Sequence, residues 1–172
     1  METHGGNGVL FDRCYAHIDD GIVFEKQTEK VERLARQRPC WAVYEGDCVN
    51  AIAAGAGRHF AIDLLDIDPY GTCWETVDAF FSSQRSFAPT MYLVVNDGLR
   101  QKLASNSGWE VKMLEPMVLK YGNNLHRIYK EIAQELLGLI VEQAGYSVVT
   151  YHAYYCGHSL AMLHFLAKLE RK

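Results

Sequence analysis

The chain has 172 residues, 49% of them hydrophobic and 22% charged, with a formal net charge of −4. That length fits one domain with a sizeable core, and the composition is ordinary for a soluble protein. No run approaches the roughly 18 apolar residues of a membrane span, and Met1-Glu2-Thr3-His4-Gly5-Gly6 has neither the basic nor the apolar part of a signal peptide, so a cytoplasmic protein with no membrane partner is expected.

The first stretch, Glu2-Thr3-His4-Gly5-Gly6-Asn7-Gly8, reads as a glycine-rich turn leading into an apolar helix from Val9-Leu10-Phe11 to Ile18. Glycines there let backbone amides approach a ligand, and a helix start adds a positive dipole end. Asp20-Gly21 gives a turn, and Ile22-Val23-Phe24-Glu25 a short buried strand ending in an acid. Thr28 is placed to cap the next helix, in which Val31, Leu34 and Ala35 recur at helical spacing while Lys30, Glu32, Arg33 and Arg36 face away. Glu25 follows the glycine turn by about 20 residues, where a nucleotide-binding α/β unit places the carboxylate that accepts both ribose hydroxyls. An acceptor-only, bidentate group matches a diol; a solvent-facing Glu at a strand end is the plain alternative.

Pro39 stops that helix, and Cys40-Trp41-Ala42-Val43-Tyr44 is a β-rich run ending at Glu45-Gly46-Asp47-Cys48. Asp47 can cap a helix from Val49 to Ala54, which Gly55-Ala56-Gly57 closes. The chain then enters Ile62-Asp63-Leu64-Leu65-Asp66-Ile67-Asp68-Pro69-Tyr70-Gly71-Thr72. Its apolar run can be buried on both faces of a parallel sheet. The strand therefore ends at Asp66 or Asp68 and delivers those side chains to its carboxyl edge, where open α/β sheets bind ligands. Pro69 cannot donate to a ladder and Gly71 permits geometry a larger residue resists, so the loop has a defined shape and presents one ring, suited to a flat ligand.

Thr72 is the candidate cap of a helix carrying Trp74, Val77, Phe80 and Phe81. Ala88-Pro89 breaks the pattern, Met91-Tyr92-Leu93-Val94-Val95 is another buried strand, and Asn96-Asp97-Gly98 lies at its carboxyl end. Leu99 to Leu103 suits a short helix, and Trp109-Glu110-Val111-Lys112-Met113-Leu114 alternates as a half-exposed strand before Pro116. Beyond Asn123-Asn124, Leu125, Ile128, Tyr129, Ile132, Leu136, Leu139 and Ile140 form the clearest amphipathic helix, stopped near Gly145. Ser147 to Tyr155, a Cys156-Gly157-His158-Ser159 turn and Leu160 to Leu169 read as a closing antiparallel hairpin. The five cysteines are widely spaced, odd in number and without a Cys-x-x-Cys pair, which argues against a disulfide framework and a zinc site. His152, Cys156 and His158 lack a fourth ligand nearby, so no metal is expected.

Asp66-Ile67-Asp68-Pro69-Tyr70-Gly71 resembles the fourth motif of S-adenosylmethionine-dependent amino methyltransferases, in particular the Asp-x-Asp-Pro-Phe/Tyr-Gly form of the N2,N2-dimethylguanosine tRNA methyltransferases. The resemblance implies that Asp66 or Asp68 and the carbonyls flanking Pro69 hold an exocyclic amine while Tyr70 stacks on a base. Against the first motif of such enzymes, acid-x-Gly-x-Gly-x-Gly, Glu2, Gly6 and Gly8 fall on matching positions and His4 stands where the first glycine is expected. By the same resemblance Glu25 is the ribose acid, Asp47 bonds the adenine amino group and the Cys48 amide meets the ring. Asp97 resembles, more loosely, the acid of a Thr-x-Thr-Asp-like segment one helix after the fourth motif; an Asp-Gly turn is the structural alternative.

What the resemblance implies is a single-domain, Rossmann-like α/β fold: a mostly parallel twisted sheet flanked by helices, a closing antiparallel hairpin, and a first strand that is short or missing. Only Met1 to His4 precedes the glycine turn, so either upstream sequence is missing or the central strand is a stub. No separate substrate-recognition domain is expected within these residues. The implied reaction is methyl transfer from S-adenosylmethionine to an exocyclic nitrogen of a nucleobase, RNA ahead of DNA. A small-molecule or protein methyltransferase, or an inactive cofactor-binding module of a larger complex, is the alternative. The net charge confines any nucleic-acid contact to a local patch, and Arg85, Arg100 and Lys102 are its candidates, with Arg100 placed to bind the acceptor.

Overall fold

The computed structural model describes residues 1–104 and 111–172. Four β/α repeats build the first two-thirds of it. Strand β1 (Ile22–Glu25) is followed by α1 (Thr28–Gln37), β2 (Ala42–Glu45) by α2 (Cys48–Ala53), β3 (Ile62–Ile67) by α3 (Trp74–Ser82), and β4 (Phe87–Asp97) by α4 (Leu99–Ala104). After α5 (Glu115–Tyr121) and a 3-10 turn at Gly122–Arg127, α6 (Tyr129–Gln143) leads into the hairpin β5 (Tyr146–Cys156) and β6 (Met162–Arg171). β1 pairs β2 in parallel, β3 pairs β4 in parallel, and β6 inserts antiparallel between β4 and β5.

Two sheets would result if nothing joined β1 to β3, and residues 1–4 join them. Glu2 bridges Val23 on one side and Asp66 on the other, both in parallel. Its amide donates to the Ile22 carbonyl and its carbonyl accepts from Phe24, while the Thr3 amide donates to the Asp66 carbonyl and the Asp66 amide to Met1. The order is thus β2-β1-stub-β3-β4-β6-β5, a mostly parallel sheet with a reversed closing strand. The short first strand expected from the sequence is a stub paired along both of its edges.

Helices α3 and α6 cover one face. Val77, Phe80, Leu137 and Val141 are buried against Leu65, Ile67, Leu93, Phe165 and Ala167, as the 3.6-residue and two-residue periods of their sequences require. Among the described residues, the opposite face is covered where α1 and the first helical turn lie on it. That turn is a π-helix at Phe11–Tyr15. Phe11 meets Trp41 edge to face at 5.1 Å, and the Arg38 guanidinium lies 4.2 Å from the Phe11 ring centre and 5.0 Å from that of Trp41. Arg38 also forms a 2.5 Å ion pair with Glu2, both side chains being buried. One charge pair under two rings therefore ties the stub to the end of α1.

Four local expectations give way. Residues 111–114 form a turn and a 3-10 helix (Lys112–Leu114) instead of a strand, and Pro116 stands at the start of α5, where its missing N–H costs nothing; Trp109 and Glu110 lie outside the described residues. Thr28 does not cap α1: Gln27 holds that position and the Thr28 hydroxyl donates to Glu45 at 2.6 Å. The helix expected from Asn123-Asn124 onward is a 3-10 turn before the α-helix proper begins at Tyr129. The strand expected from Met91 begins earlier, at Phe87, so Ala88-Pro89 lies inside β4, where the register against β3 shifts between Ile62 and Leu64; a bulge tolerates the residue that cannot donate.

The stub's anchoring makes a test of its own. Burial pushes the Glu2 carboxyl up to about 7 against the pull of Arg38, so each partner is costly without the other. Arg38→Ala should destabilise the protein by about 3–5 kcal/mol in urea unfolding, as for other broken buried pairs, whereas Glu2→Gln with Arg38→Met should cost clearly less. Equal losses in the two proteins would show that the pairing is not what holds the stub.

Candidate functional site at the carboxyl edge of the sheet

The carboxyl ends of the stub, β1, β2 and β3 lie on one rim because these strands are parallel. The glycine turn forms first. Gly5 donates to the Phe24 carbonyl at 2.9 Å, and a Cβ on it would come within 2.5 Å of Val23, so the chain can hug β1 only as glycine. Gly6, at φ +54°, donates its amide to Glu25 Oε2 at 2.9 Å, and the space where its Cβ would stand is open. Glu25 Oε1 accepts from the Lys26 and Gln27 amides at 2.8 and 3.0 Å. Three backbone donors thus fix the carboxylate at the end of β1. Gly8, at φ +79°, accepts from the Asp12 amide and starts the π-helical turn.

Asp47 caps α2, accepting from the Asn50 amide at 2.9 Å, and its second oxygen meets Lys26 at 2.6 Å. These contacts hold its carboxyl below the usual range, the Lys26 bond foremost. Cys48 is the first residue of α2 and is buried, its thiol raised by burial. The His4 ring bridges the rim: Nδ1 lies 2.8 Å from Thr3 Oγ1 and Nε2 3.6 Å from Cys48 Sγ. Burial lowers the His4 pKa, while Asp68, Glu25 and Asp47 pull it up and Lys26 pushes it down. An imidazole therefore stands among the three acids, at the position where the first motif of the methyltransferases carries a glycine.

Asp66 and Asp68 have different surroundings. Asp66 is buried, accepts from the Tyr15 hydroxyl, and is raised in pKa by that burial; the widened π-turn is what brings Tyr15 over it. Asp68 is exposed, and its Oδ1 accepts from Asn96 Nδ2 at 2.7 Å. Pro69 is half-buried and Tyr70 is fully exposed at 110% of its reference area. The loop is held from behind: Gly98 donates to the Gly71 carbonyl at 2.7 Å, and a Cβ on Gly98 would lie 3.2 Å from that oxygen. A cavity of about 620 Å³ opens beside these acids, reaching from His4 and Gly6 past Asp66 and Asp68 to Asn96 and His164.

Glu2 lines the floor of the same cavity, with its carboxylate committed to Arg38. Asp97 has no opening to it. Its carboxylate is wholly buried, bonded by the Tyr129 hydroxyl and by the Leu99 amide, and Tyr129 in turn accepts from Trp74 Nε1 at 2.7 Å. Arg100 donates to the carbonyls of His126 and Leu160 and lies 4.2 Å over the Tyr155 ring, tying loops together at this end of the sheet. Arg85 lies at the other end, before β4 begins, against Phe80 and the Ala56 carbonyl. β4 separates Arg85 from Arg100 along its whole length, so the expected single basic rim does not form. His152, Cys156 and His158 spread along β5 and its turn, and no group of metal-ligating side chains is assembled among the described residues.

Asp97 supplies a pH test. Burial raises its carboxyl to about 6, outweighing the hydroxyl and amide donors. The native state then holds the proton more tightly than the unfolded chain, so the stabilising contribution is complete below the ordinary value of 3.8 and is lost as pH rises through about 6. Between about pH 4 and about pH 7 the protein should lose about 3 kcal/mol of unfolding free energy relative to Asp97→Asn, at 1.36 kcal/mol per unit. Parallel stability curves for the two proteins would assign the titration elsewhere.

No family model and no curated protein matches the sequence. Among solved structures the chain is similar to Trm1 from Pyrococcus horikoshii in complex with S-adenosyl-L-methionine, at 13% identity and a TM-score of 0.68 over 99% of this chain and 50% of that one. It is similar to TYW2 of M. jannaschii in complex with AdoMet, at 13% identity and a TM-score of 0.62 over 99% of this chain and 68% of that one. A putative methyltransferase, yhhF from Escherichia coli, gives 12% identity and a TM-score of 0.57 over 99% and 76%. The chain spans half the length of the first of these. What is shared at such identities is architecture, and the fold of this chain is the Rossmann-like methyltransferase fold.

Proposed function

We propose that this chain binds S-adenosylmethionine and transfers its methyl group to an exocyclic nitrogen of a nucleobase, in RNA ahead of DNA. The observation that carries the proposal is the Asp68-Pro69-Tyr70-Gly71 loop: an exposed carboxylate steadied by Asn96 and a fully exposed ring, beside the cavity that the glycine turn borders. The cofactor fits by the chemistry of the rim. Glu25 is an acceptor suited to a diol, Gly6 leaves open space where a side chain would stand, and Glu25, Asp47 and Asp68 surround His4 with Lys26 as their cation. That surplus of carboxylates favours a cationic sulfonium and opposes an anionic pyrophosphate.

The cofactor supplies an electrophilic methyl group, and the chain's own residues do the positioning. Asp68 gives one oxygen to Asn96 and leaves the other for an N–H of the acceptor amine, which turns the nitrogen lone pair toward the methyl. The Pro69 carbonyl, with no ladder to join, accepts the second N–H. Both acceptors become more favourable as the nitrogen gains positive charge, which is where transition-state stabilisation is needed. Tyr70 stacks on the base. Asp66, buried beneath Tyr15, adds negative potential from below without touching the amine, and Asp97 braces the loop through Gly98.

Calorimetric titration should show binding of S-adenosylmethionine and not of NAD, and Glu25→Ala should weaken it by about 1–3 kcal/mol, the loss expected for bonds to a charged group. Asp68→Ala and Tyr70→Ala should each abolish tritiated-methyl incorporation into total RNA, and Tyr70→Ala should do so with cofactor affinity nearly unchanged. NAD binding would overturn the cofactor assignment, and incorporation surviving both substitutions would move the acceptor site away from this loop.

A further inference from the structure

Sheets of this kind are normally covered on both faces, yet beyond the π-helical turn the face of β4, β6 and β5 that carries Asn96 is left exposed by the described residues. Cross-strand pairing arranges its side chains in rows. Asn96, His164 and Tyr154 form the row nearest the rim, followed by Val94, Leu166 and His152. A third row holds Tyr92, Lys168 and Thr150. Tyr154 is 60% exposed, Tyr92 44% and Leu166 41%, although β4 and β6 are interior strands. The first row continues into the candidate site, because Asn96 holds Asp68, and His164 Nδ1 is 3.3 Å from the Tyr154 hydroxyl with the two rings 5.3 Å apart.

The make-up of the rows decides what can cover them. A docking helix needs an apolar stripe, and here Val94 and Leu166 are the only aliphatic members; burying the amide, imidazoles, phenols and ammonium under a helix would leave polar groups unpaired. The Asn96 Oδ1 is already buried without a partner at the head of the face. Phenol and imidazole rings spaced across an open sheet suit the stacked bases of an unpaired strand, whose ribose and base edges also satisfy polar neighbours. Charge is close to balanced along the rows: Arg13 borders the cavity and Glu170 is paired with Lys168 at 2.6 Å, while the carboxylates of this face, Asp66 and Asp68, stand at the rim, where the target base and not the flanking phosphates would lie.

We propose that this open face is the acceptor track, on which a single-stranded RNA segment lies with bases stacked on Tyr92, His164 and Tyr154 while the target base reaches Tyr70 and Asp68. The inference rests on the methyltransferase reading for the target base, and it adds the surface that binds the flanking nucleotides. With Arg13 at the cavity and Lys168 shared with Glu170, binding is carried mainly by stacking and is only modestly sensitive to salt.

Fluorescence anisotropy with a dye-labelled single-stranded RNA tests this directly. Tyr92→Ala and Tyr154→Ala should each weaken binding about 5- to 100-fold, as loss of one stacked base does, and Leu166→Glu, at an exposed position, should weaken it further by placing a carboxylate mid-track. The log-log salt slope should be no steeper than about −1.4, two single-strand phosphate contacts. Circular dichroism melts and calorimetric S-adenosylmethionine titrations of the same variants separate the outcomes. Cofactor binding in every variant, with RNA affinity unmoved by all three substitutions, overturns the track alone. No cofactor binding by the unsubstituted protein overturns the methyltransferase reading instead. A self-association seen in sedimentation, abolished by Leu166→Glu and accompanied by no RNA binding, would overturn the track and give the face to a second copy of the chain.

Discussion

Everything at the candidate site depends on a four-residue strand being paired on both edges. β1 with β2, and β3 with the hairpin side, are each complete ladders; among the described residues, the backbone hydrogen bonds that join them as one sheet are those of residues 1–3. Without that alignment the acid ending β1 and the acids ending β3 would have no fixed relation. So short a strand contributes few bonds, and its side chains must be anchored independently. Glu2 goes to Arg38 on one face, while Met1 joins the core on the other. The buried ion pair is consistent with a role in register: a charge that is costly when unpaired tolerates one placement of the stub against α1.

How far this could be read from sequence follows the range of each signal. Repeats of a short apolar run, an acid and a helix are local patterns, and the strands from Ile22 to Asp97 and the closing hairpin stand where those patterns put them. Asp47 as a cap of α2 was legible for the same reason. Residues 109–113 satisfy a two-residue period, Trp109, Val111 and Met113 alternating with Glu110 and Lys112, over a stretch too short to exclude the 3-10 turn at Lys112–Leu114. Pro116 fits a helix start as well as a strand stop, and periodicity does not arbitrate between them.

The parts of the site that were not legible come from pairs far apart in sequence. Tyr15 reaches Asp66 across 51 positions, Asn96 reaches Asp68 across 28, and His4 meets Cys48 across 44. In the first two pairs one partner, Tyr15 or Asn96, belongs to no local motif, and in the third the motif says nothing of the contact. The hint for His4 was a side chain where glycine was expected, and for Asn96 a polar residue at a strand end beside the aspartate that drew attention. Arg85 and Arg100 failed as one patch for a related reason: loops on either side of a strand lie at opposite ends of it, and an eleven-residue strand is about 35 Å long at its usual rise. Asp97 was legible as an acid at a strand end, but its burial under Tyr129 and Trp74 depends on α6 folding back over α3.

Those distant contacts also explain a division of labour among the acids. The proposed methyl transfer to an amine would ask the protein for placement, since a misplacement of about 1 Å can cost about two orders of magnitude in rate. An exposed loop carrying Pro69 and a free tyrosine ring is a poor positioning device by itself. Here it is clamped from two sides: Asn96, at the end of β4, fixes Asp68, and Gly98, one residue past Asp97, fixes the carbonyl of Gly71. Asp97 is the root of the second clamp, because its carboxylate sets the start of α4 through Leu99 and is itself locked by the Tyr129–Trp74 chain. The acid that never meets the cavity thus anchors the backbone that holds Gly71, Asn96 on the same strand holds Asp68, and the rigidity of the core is carried to the loop through the backbone of β4.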